Sequence, residues 1–172
     1  HLDGSFQPNE SVSVAGMAKI ISLFLNAGKE IPAMPSKDKK DTYHENFWAC
    51  DYIDYCIKNG IFLDSYIDKP DQSIDNEKLE EIFVALEKYL NISNESIHRH
   101  FKEAVRAPTR EDIAILLYDF AKFFSSKVMK QIDNGQCDDA LQRIKKFQIC
   151  VLLLPSEIRR ICQHLFTKKR KN

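Results

Sequence analysis

Apolar residues recur at helical spacing along this chain, and capping residues precede several of the apolar runs. The clearest run follows Asp75, a residue type whose side chain accepts hydrogen bonds from the first turn of a helix. Its apolar stripe consists of Leu79, Ile82, Phe83, Leu86 and Leu90. No stretch alternates apolar and polar residues as a half-buried strand does, and the 172 residues include 5 Gly and 6 Pro. The sequence therefore predicts an all-α fold.

Caps and stop signals place two helices before this one. Ser11 is predicted to cap the first, which ends at Asn26-Ala27-Gly28, and the second runs from about residue 42 to Asn59-Gly60. Their predicted apolar positions are Val14, Met17, Ala18, Ile21, Phe24, Leu25, Phe47, Trp48, Ile53, Tyr55, Cys56 and Ile57. Residues 61–73 are rich in aspartate and are predicted to form a surface loop.

The second half of the chain is predicted to contain four more helices. Ser93 caps a short one, and Pro108-Thr109 opens a long one that Asn134-Gly135 closes. The core positions of the long helix are Ile113, Leu116, Leu117, Phe120, Phe124 and Val128. Asp138 or Asp139 begins a helix that Pro155 ends, and Ser156 caps the last. We therefore expect a single-domain bundle of about seven helices over residues 11–166, with a flexible segment at 1–10 and a basic tail at 167–172.

Charge and length exclude several classes of function. Lys plus Arg (25) equals Asp plus Glu (25), so no global electrostatic attraction draws the chain to nucleic acid or anionic lipid. The longest apolar run, Ile149 to Leu154, is too short to span a bilayer. Nucleic acid is therefore not the expected partner, and no membrane span is predicted.

The five cysteines lack the paired spacing of a disulfide framework. Reduced thiols predict a cytoplasmic or nuclear location. Three glycosylation acceptor patterns, which begin at Asn9, Asn91 and Asn94, point instead to secretion. The last two overlap a predicted helix start, where Asn and Ser serve as caps. The chain begins with His1 and shows no signal peptide, so we expect it to be a fragment of a longer protein.

No catalytic or metal-binding motif emerges from the sequence. In an EF-hand starting at Asp64 or Asp68, the sixth position would be Lys69 or Ser73 instead of glycine. His98 and His100 are two residues apart and would point to different sides of a helix, unlike paired zinc ligands. Phosphate-binding loops and nucleophile elbows are also missing. The sequence therefore predicts a protein that is not an enzyme and that requires no cofactor.

Basic residues cluster near the C-terminus. Arg143, Lys145 and Lys146 belong to one predicted helix, and Arg159 and Arg160 begin the next. The tail Lys168-Lys169-Arg170-Lys171 adds four positive charges. These groups are typical of a solvated helix face, but they also suit an acidic partner surface or, in the tail, a nuclear import signal.

The segment from Phe147 to Pro155 reads Phe-Gln-Ile-Cys-Val-Leu-Leu-Leu-Pro and is followed by Arg159-Arg160. It resembles the RhoGAP-like region of DEP-domain-containing proteins, where Leu-Gln-Leu-Cys-Cys-Leu-Leu-Leu-Pro precedes an Arg-Arg pair at the same offset. Residues 52–62 are similar to the stretch of that region that leads into Gly-Ile-Phe-Arg. Leu63 then stands at the position of the family's catalytic arginine. Because leucine cannot stabilise a transferring phosphoryl group, the resemblance implies a degenerate, non-catalytic GAP-like module.

A second segment resembles a different family. The stretch from Phe47-Trp48 to Asn59-Gly60-Ile61, followed by Ile74-Asp75 and Lys78-Leu79, looks like one S-layer homology repeat. Such repeats occur in sets of three and bind cell-wall polymers, whereas this chain contains one copy.

The predicted function is a helical protein-interaction module that binds a small GTPase or a signalling or cytoskeletal scaffold protein. Arg143, Lys146, Arg159 and Arg160 are the predicted contacts, because the arginine fork pairs with carboxylates in two places. Two alternatives stay open. One is an active GTPase-activating domain that supplies Arg106 or Arg110, and the other is a nucleic-acid-associated factor that uses the basic tail.

Overall fold

The computed structural model describes residues 7–26, 30–31, 48–92, 106–136 and 138–139. These residues form four α-helices, which are α1 (Val14–Leu25), α2 (Cys50–Lys58), α3 (Asn76–Leu90) and α4 (Arg110–Asp133), and a 3-10 helix (Asp64–Asp68). The described ranges contain no β-strand, so the all-α prediction is confirmed for them. The predicted helices that begin at Ser93 and Ser156 lie outside the described residues, as does most of the helix predicted to begin at Asp138 or Asp139.

Side-chain caps fix the starts of α3 and α4 where the sequence predicted them. Asp75 Oδ1 accepts a hydrogen bond from the Lys78 backbone N–H at 2.8 Å. At α4, Thr109 and Asp112 form a capping box, in which each side chain accepts a hydrogen bond from the other's backbone N–H. Both caps satisfy N–H groups that have no partner inside the helix.

The cap of α1 is Ser13, so the prediction of Ser11 was wrong by two residues. Ser13 Oγ accepts the Gly16 N–H at 3.2 Å. Ser11 instead forms an isolated antiparallel bridge with Thr109, and Ser13 forms one with Ser73. The chain is therefore still extended at Ser11, because it pairs with two distant segments before the helix begins.

In the described part of the chain, α2 begins later than predicted. Its first residue is Cys50, and the N-cap is Ala49, which offers no side-chain hydrogen bond. Trp48, which the sequence assigned to the apolar face of the helix, lies in the preceding turn and is 57% exposed. The C-terminal stop at Asn59-Gly60 is confirmed, with Gly60 in the left-handed region at φ +68°.

The core lies where the four helices bring their apolar stripes together. Ala18 on α1 permits a close approach of α2, since its carbonyl oxygen lies 3.6 Å from the buried Cys56 Sγ. Phe120 on α4 contacts the rings of Phe24 and Phe83, with centroid separations of 6.4 and 5.6 Å. The predicted stripes of α3 and α4 are buried as expected, and their members are Leu79, Ile82, Phe83, Leu86, Leu90, Ile113, Leu116, Leu117, Phe120, Phe124 and Val128.

The connection between α2 and α3 is only partly the surface loop that was predicted. Asp64, Asp68 and Asp71 are exposed, but Ile61, Phe62 and Tyr66 are buried. The backbone N–H groups of Ile61 and Phe62 donate to the Cys56 carbonyl, because the left-handed Gly60 turns the chain back over the end of α2. The Tyr66 hydroxyl donates to Glu81 at 2.6 Å. Part of this connection is therefore core.

The segment before α1 forms backbone hydrogen bonds both with the connection between α2 and α3 and with the start of α4. The Val12 carbonyl accepts the Ile74 N–H at 2.8 Å, and the Glu10 carbonyl accepts the Arg110 N–H at 2.9 Å. The starts of α1 and α4 are thus neighbours, and the Phe24–Phe120 contact shows that the two helices are still neighbours about ten residues further on. Helices α1 and α4 therefore run side by side in the same direction.

Replacing Asp112 with asparagine is expected to destabilise the chain at pH 7 by about 0.5–1 kcal/mol. Burial alone would raise the pKa of Asp112, but hydrogen bonds from the Thr109 backbone and hydroxyl, together with the Arg106 guanidinium, lower it. A lowered pKa means that the carboxylate stabilises the fold above its unfolded value of 3.8, and that this contribution is lost as pH falls through the folded value.

The measurement is urea unfolding of both proteins in a series from pH 7 down to about pH 3. The difference in stability should narrow toward the acidic end, where Asp112 is protonated and neutral like asparagine. Asp119→Asn on the exposed side of α4 is the matched control and should change little. A difference that stays constant across the series would contradict the prediction.

Candidate functional site

An apolar groove of about 670 Å3 lies between α1 and α4 and is open to solvent on one side. Its α1 wall consists of Gly16, Lys19, Ile20 and Leu23, which share one face of the helix at spacings of three, four and seven residues. Gly16 contributes only backbone to this wall, and a Cβ added there would crowd Val12 Cγ1 at 3.3 Å.

The α4 wall consists of Arg110, Ile113, Ala114 and Leu117. Ile113 and Leu117 are buried and form the floor, whereas Ala114 is exposed at the rim. The space between the two helices is large enough to admit another group. Because Ile113 and Leu117 are only 1% and 6% exposed, the apolar surface that the groove presents to solvent comes mainly from Ile20, Leu23, Ala114 and Trp48.

An aromatic and charged cluster stands at the groove's edge. Trp48 lies in the lining, and its ring centroid is 6.3 Å from that of Tyr52. Lys19 Nζ is 6.0 Å from the Trp48 centroid and 5.4 Å from the Tyr52 centroid, within cation–π range. Lys19 also pairs with Glu30 at 3.9 Å. The contacts within this cluster place the exposed indole of Trp48 at the edge of the groove.

The Tyr52 hydroxyl donates a hydrogen bond to Glu30 Oε2. This hydrogen bond, with smaller contributions from burial and nearby carboxylates, raises the pKa of Tyr52 to about 12. Tyr52 is therefore neutral at physiological pH and acts as a fixed donor that holds Glu30 beside Lys19.

Both charged residues in the lining are basic. Lys19 and Arg110 are partly exposed, with side-chain exposures of 41% and 27%. Arg110 pairs with Glu10 at 3.5 Å, and the carboxylates of Glu10 and Glu30 are themselves exposed. Pairs of this length at the surface contribute little stability. The groove therefore combines an apolar lining with two cations, each of which is paired with a carboxylate.

The predicted partner contacts Arg143, Lys146, Arg159 and Arg160 lie outside the described residues. Leu63, which the RhoGAP resemblance aligns with a catalytic arginine, precedes the 3-10 helix and is 57% exposed. Of the two arginines considered as substitutes, Arg106 pairs with Asp112 at 2.8 Å and Arg110 faces the groove. The structure thus brings Arg110 into a candidate site and holds Arg106 at the cap of α4.

The acidic loop forms no metal site in the part of the chain that the structure describes, where no three His, Cys, Asp or Glu side chains come together. Asp75, the last aspartate of that loop, caps α3, and its Oδ2 pairs with Lys78 Nζ at 2.7 Å. Burial opposes ionisation of Asp75, but the hydrogen bonds and charge of Lys78 outweigh it and lower the pKa. Helix capping and the pairing with Lys78 therefore explain the lowered pKa of Asp75.

The two described cysteines differ in accessibility. Cys56 is fully buried, and burial raises the pKa of its thiol, whereas Cys50 is half-buried at the start of α2.

Because only the thiolate reacts and only an opened structure exposes Cys56, iodoacetamide is expected to modify Cys50 at least about a hundredfold faster in the folded chain. Mass spectrometry of digested time points measures both rates. The rates should converge in urea, and equal rates in native buffer would contradict the assignment of Cys56 to the core.

The groove was not predicted from the sequence. Its strongest signal was Ile20 and Leu23, which are apolar but lie off the main stripe of α1. Such residues indicate a second apolar face, but only the neighbouring position of α4 turns that face into a groove. Trp48 was recognised as apolar and was assigned to the core instead of to a surface.

No helix within the described ranges is both long and apolar enough to cross a membrane. Comparison with known proteins gives no match to a protein family, to a curated protein or to a solved structure.

Proposed function

We propose that this chain is a non-catalytic protein-interaction module that binds another protein in the groove between α1 and α4. The observation that supports the proposal most directly is the exposed Trp48 beside the half-buried apolar side chains of Ile20 and Leu23. Tryptophan is among the residues most enriched at the energetic centres of protein interfaces, and helical grooves commonly receive apolar side chains of a partner.

The described ionisable groups with shifted pKa values support a structural role. Asp75 and Asp112 cap helices, and Tyr52 and Tyr66 donate hydrogen bonds to glutamates. Perturbed groups in an active site would instead converge on a cleft beside a nucleophile or a base. Tyr52 approaches the groove, but it is fixed as a neutral donor to Glu30.

Site-specific photo-crosslinking tests the proposal. A photoreactive amino acid replaces Ala114 at the groove rim or Ser126 on an exposed part of α4 in the full chain. Irradiation in cells should give a discrete crosslinked protein from position 114. The Ser126 variant is the matched control and should not capture that protein. Identical products from both positions, or none from position 114, would refute the groove as an interaction site.

The resemblance to RhoGAP-like regions favours a small GTPase or a signalling or cytoskeletal scaffold as the partner, with Arg143, Lys146, Arg159 and Arg160 as additional proposed contacts. We expect no acceleration of single-turnover GTP hydrolysis by a panel of Rho-type GTPases. Leucine stands at position 63, and Arg106 and Arg110 are paired with carboxylates. Acceleration of about tenfold or more that Arg106→Ala or Arg110→Ala abolishes would establish the enzymatic alternative.

A further inference from the structure

We infer that the outward face of α4 pairs with the same face of a second copy of this chain, with the two helices antiparallel. The face consists of Glu111, Ile115, Tyr118 and Lys122, which we call the α4 stripe. All four residues are exposed, and the exposed fractions of Ile115 and Tyr118 are 51% and 57%. The inference does not depend on the groove, because none of the four residues belongs to the groove lining.

The members of the α4 stripe lie on one narrow side of the helix. They follow one another at spacings of four, three and four residues, which place them on successive turns of the same side. The core residues Leu116, Phe120 and Phe124 occupy the opposite side. The outer side of such a helix is normally polar, whereas Ile115 and Tyr118 expose adjacent apolar surface that a second molecule would remove from water.

The order of residues along the α4 stripe is complementary to itself. In an antiparallel pair, a two-fold axis midway between Ile115 and Tyr118 places each of these residues opposite the other in the second copy. The same axis places Glu111 opposite Lys122, because the two pairs share one midpoint. A single arrangement therefore forms two apolar contacts and two ion pairs. A parallel pair would instead bring glutamate against glutamate and lysine against lysine.

The charges of the α4 stripe differ from those of the groove. Within the ranges that the structure describes, no ion pair involves Glu111 or Lys122. Lys122 Nζ lies 5.4 Å from the ring centroid of Tyr118, and this cation–π contact keeps the ammonium group beside the apolar centre of the stripe. A glutamate of the second copy would therefore reach Lys122 without displacing a carboxylate of its own chain.

The length of the α4 stripe predicts a weak dimer. From Glu111 to Lys122 it extends about 16 Å, or three helical turns, at a rise of 1.5 Å per residue. A contact of this length is smaller than the standard interface of about 800 Å2 per partner, so we expect a dissociation constant on the order of 100 µM. Unfolding experiments on dilute protein therefore report the monomer.

Sedimentation equilibrium of the full chain from about 10 µM to about 1 mM tests the inference, with a reductant present to prevent disulfide-linked dimers. The average mass should rise from that of one chain toward that of two. Tyr118→Ala should weaken the association at least about tenfold, because each substitution enters a two-fold interface twice. Val84→Ala on α3 is the matched control, since it also removes an exposed apolar side chain, and it should leave the association unchanged.

Exchange of charges tests the antiparallel register. Glu111→Lys and Lys122→Glu should each weaken self-association at least about tenfold, because each places like charges opposite one another. An equimolar mixture of these two variants should associate again, since one copy then offers two lysines and the other two glutamates. Circular dichroism checks that Glu111→Lys retains α4, because residue 111 lies in the first turn of that helix.

The contrary outcomes are distinguishable. A chain that stays monomeric up to about 1 mM would overturn the inference, and nitration of Tyr118 in that monomer would then show whether the face is open or covered by another segment of the same chain. A dimer that Tyr118→Ala leaves intact would use a different surface and would also overturn it. Charge variants that fail to associate on mixing would refute the antiparallel register.

Discussion

Replacing Phe120 with alanine is expected to lower the free energy of unfolding by about 3–5 kcal/mol. Phe120 is fully buried, and its ring contacts Phe83 on α3 and Phe24 on α1. The substitution removes apolar surface from the core and leaves a cavity that three helices line, so neighbouring side chains cannot all move to fill it. It also removes two tilted ring pairs, which contribute beyond their buried area.

Urea unfolding followed by circular dichroism measures this loss as a lower midpoint with an unchanged slope. Tyr118→Ala is the control on the same helix, because Tyr118 is 57% exposed and should change stability by no more than about 0.5 kcal/mol. Similar losses for the two variants would contradict the assignment of Phe120 to the centre of the core. Because natural domains have a total stability of about 5–15 kcal/mol, this loss leaves Phe120→Ala only marginally folded, and the control variant should be measured under the same conditions.

Replacing Trp48 with alanine is expected to lower the yield of the protein crosslinked from position 114 by at least about tenfold, because an interface hot spot typically contributes about 2 kcal/mol. The indole is mostly exposed in the unoccupied groove, so its removal opens no core cavity. The binding energy that is lost is then that of the contact that Trp48 forms only with the partner. Lys19 also loses one of the two rings that hold its side chain in place.

Densitometry of the crosslinked band at equal expression of the variants provides the measurement for all proteins. Leu63→Ala is the matched control, since Leu63 is also 57% exposed but lies outside the groove lining. Its crosslinked yield should equal that of the parent chain. An unchanged yield for Trp48→Ala would show that the crosslinked protein binds elsewhere and would remove Trp48 from the site.

Capping residues and apolar spacing correctly predicted the helices whose caps and stripes lie within the helix itself. Asp75 and Thr109 are good caps, and their side chains accept the expected hydrogen bonds without help from distant residues. The stripes of α3 and α4 follow from spacing alone. The prediction of Ser11 as a cap failed because Ser11 and Ser13 are equally good local candidates, and pairing with Thr109 and Ser73 decides between them.

The candidate site required information about which helices are neighbours. Gly16, Ile20 and Leu23 have no distinctive pattern until α4 is placed beside α1. The burial of Ile61 and Phe62 was missed for the same reason, since aspartates surround them in sequence while Gly60 directs them inward. The available signal for their burial was that these apolar residues lie in a loop that otherwise looks polar.

The hydrogen bonds between residues 8–14 and both the α2–α3 connection and the start of α4 have a consequence for synthesis on the ribosome. The carbonyls of Pro8 and Glu10 receive the N–H groups of Glu111 and Arg110, which are translated about a hundred residues later. The emerging N-terminal portion therefore cannot complete its native arrangement until α4 has left the exit tunnel. Before that moment the nascent polypeptide exposes the apolar surface of Phe24 and Phe83 that Phe120 later covers, which makes it a substrate for chaperones.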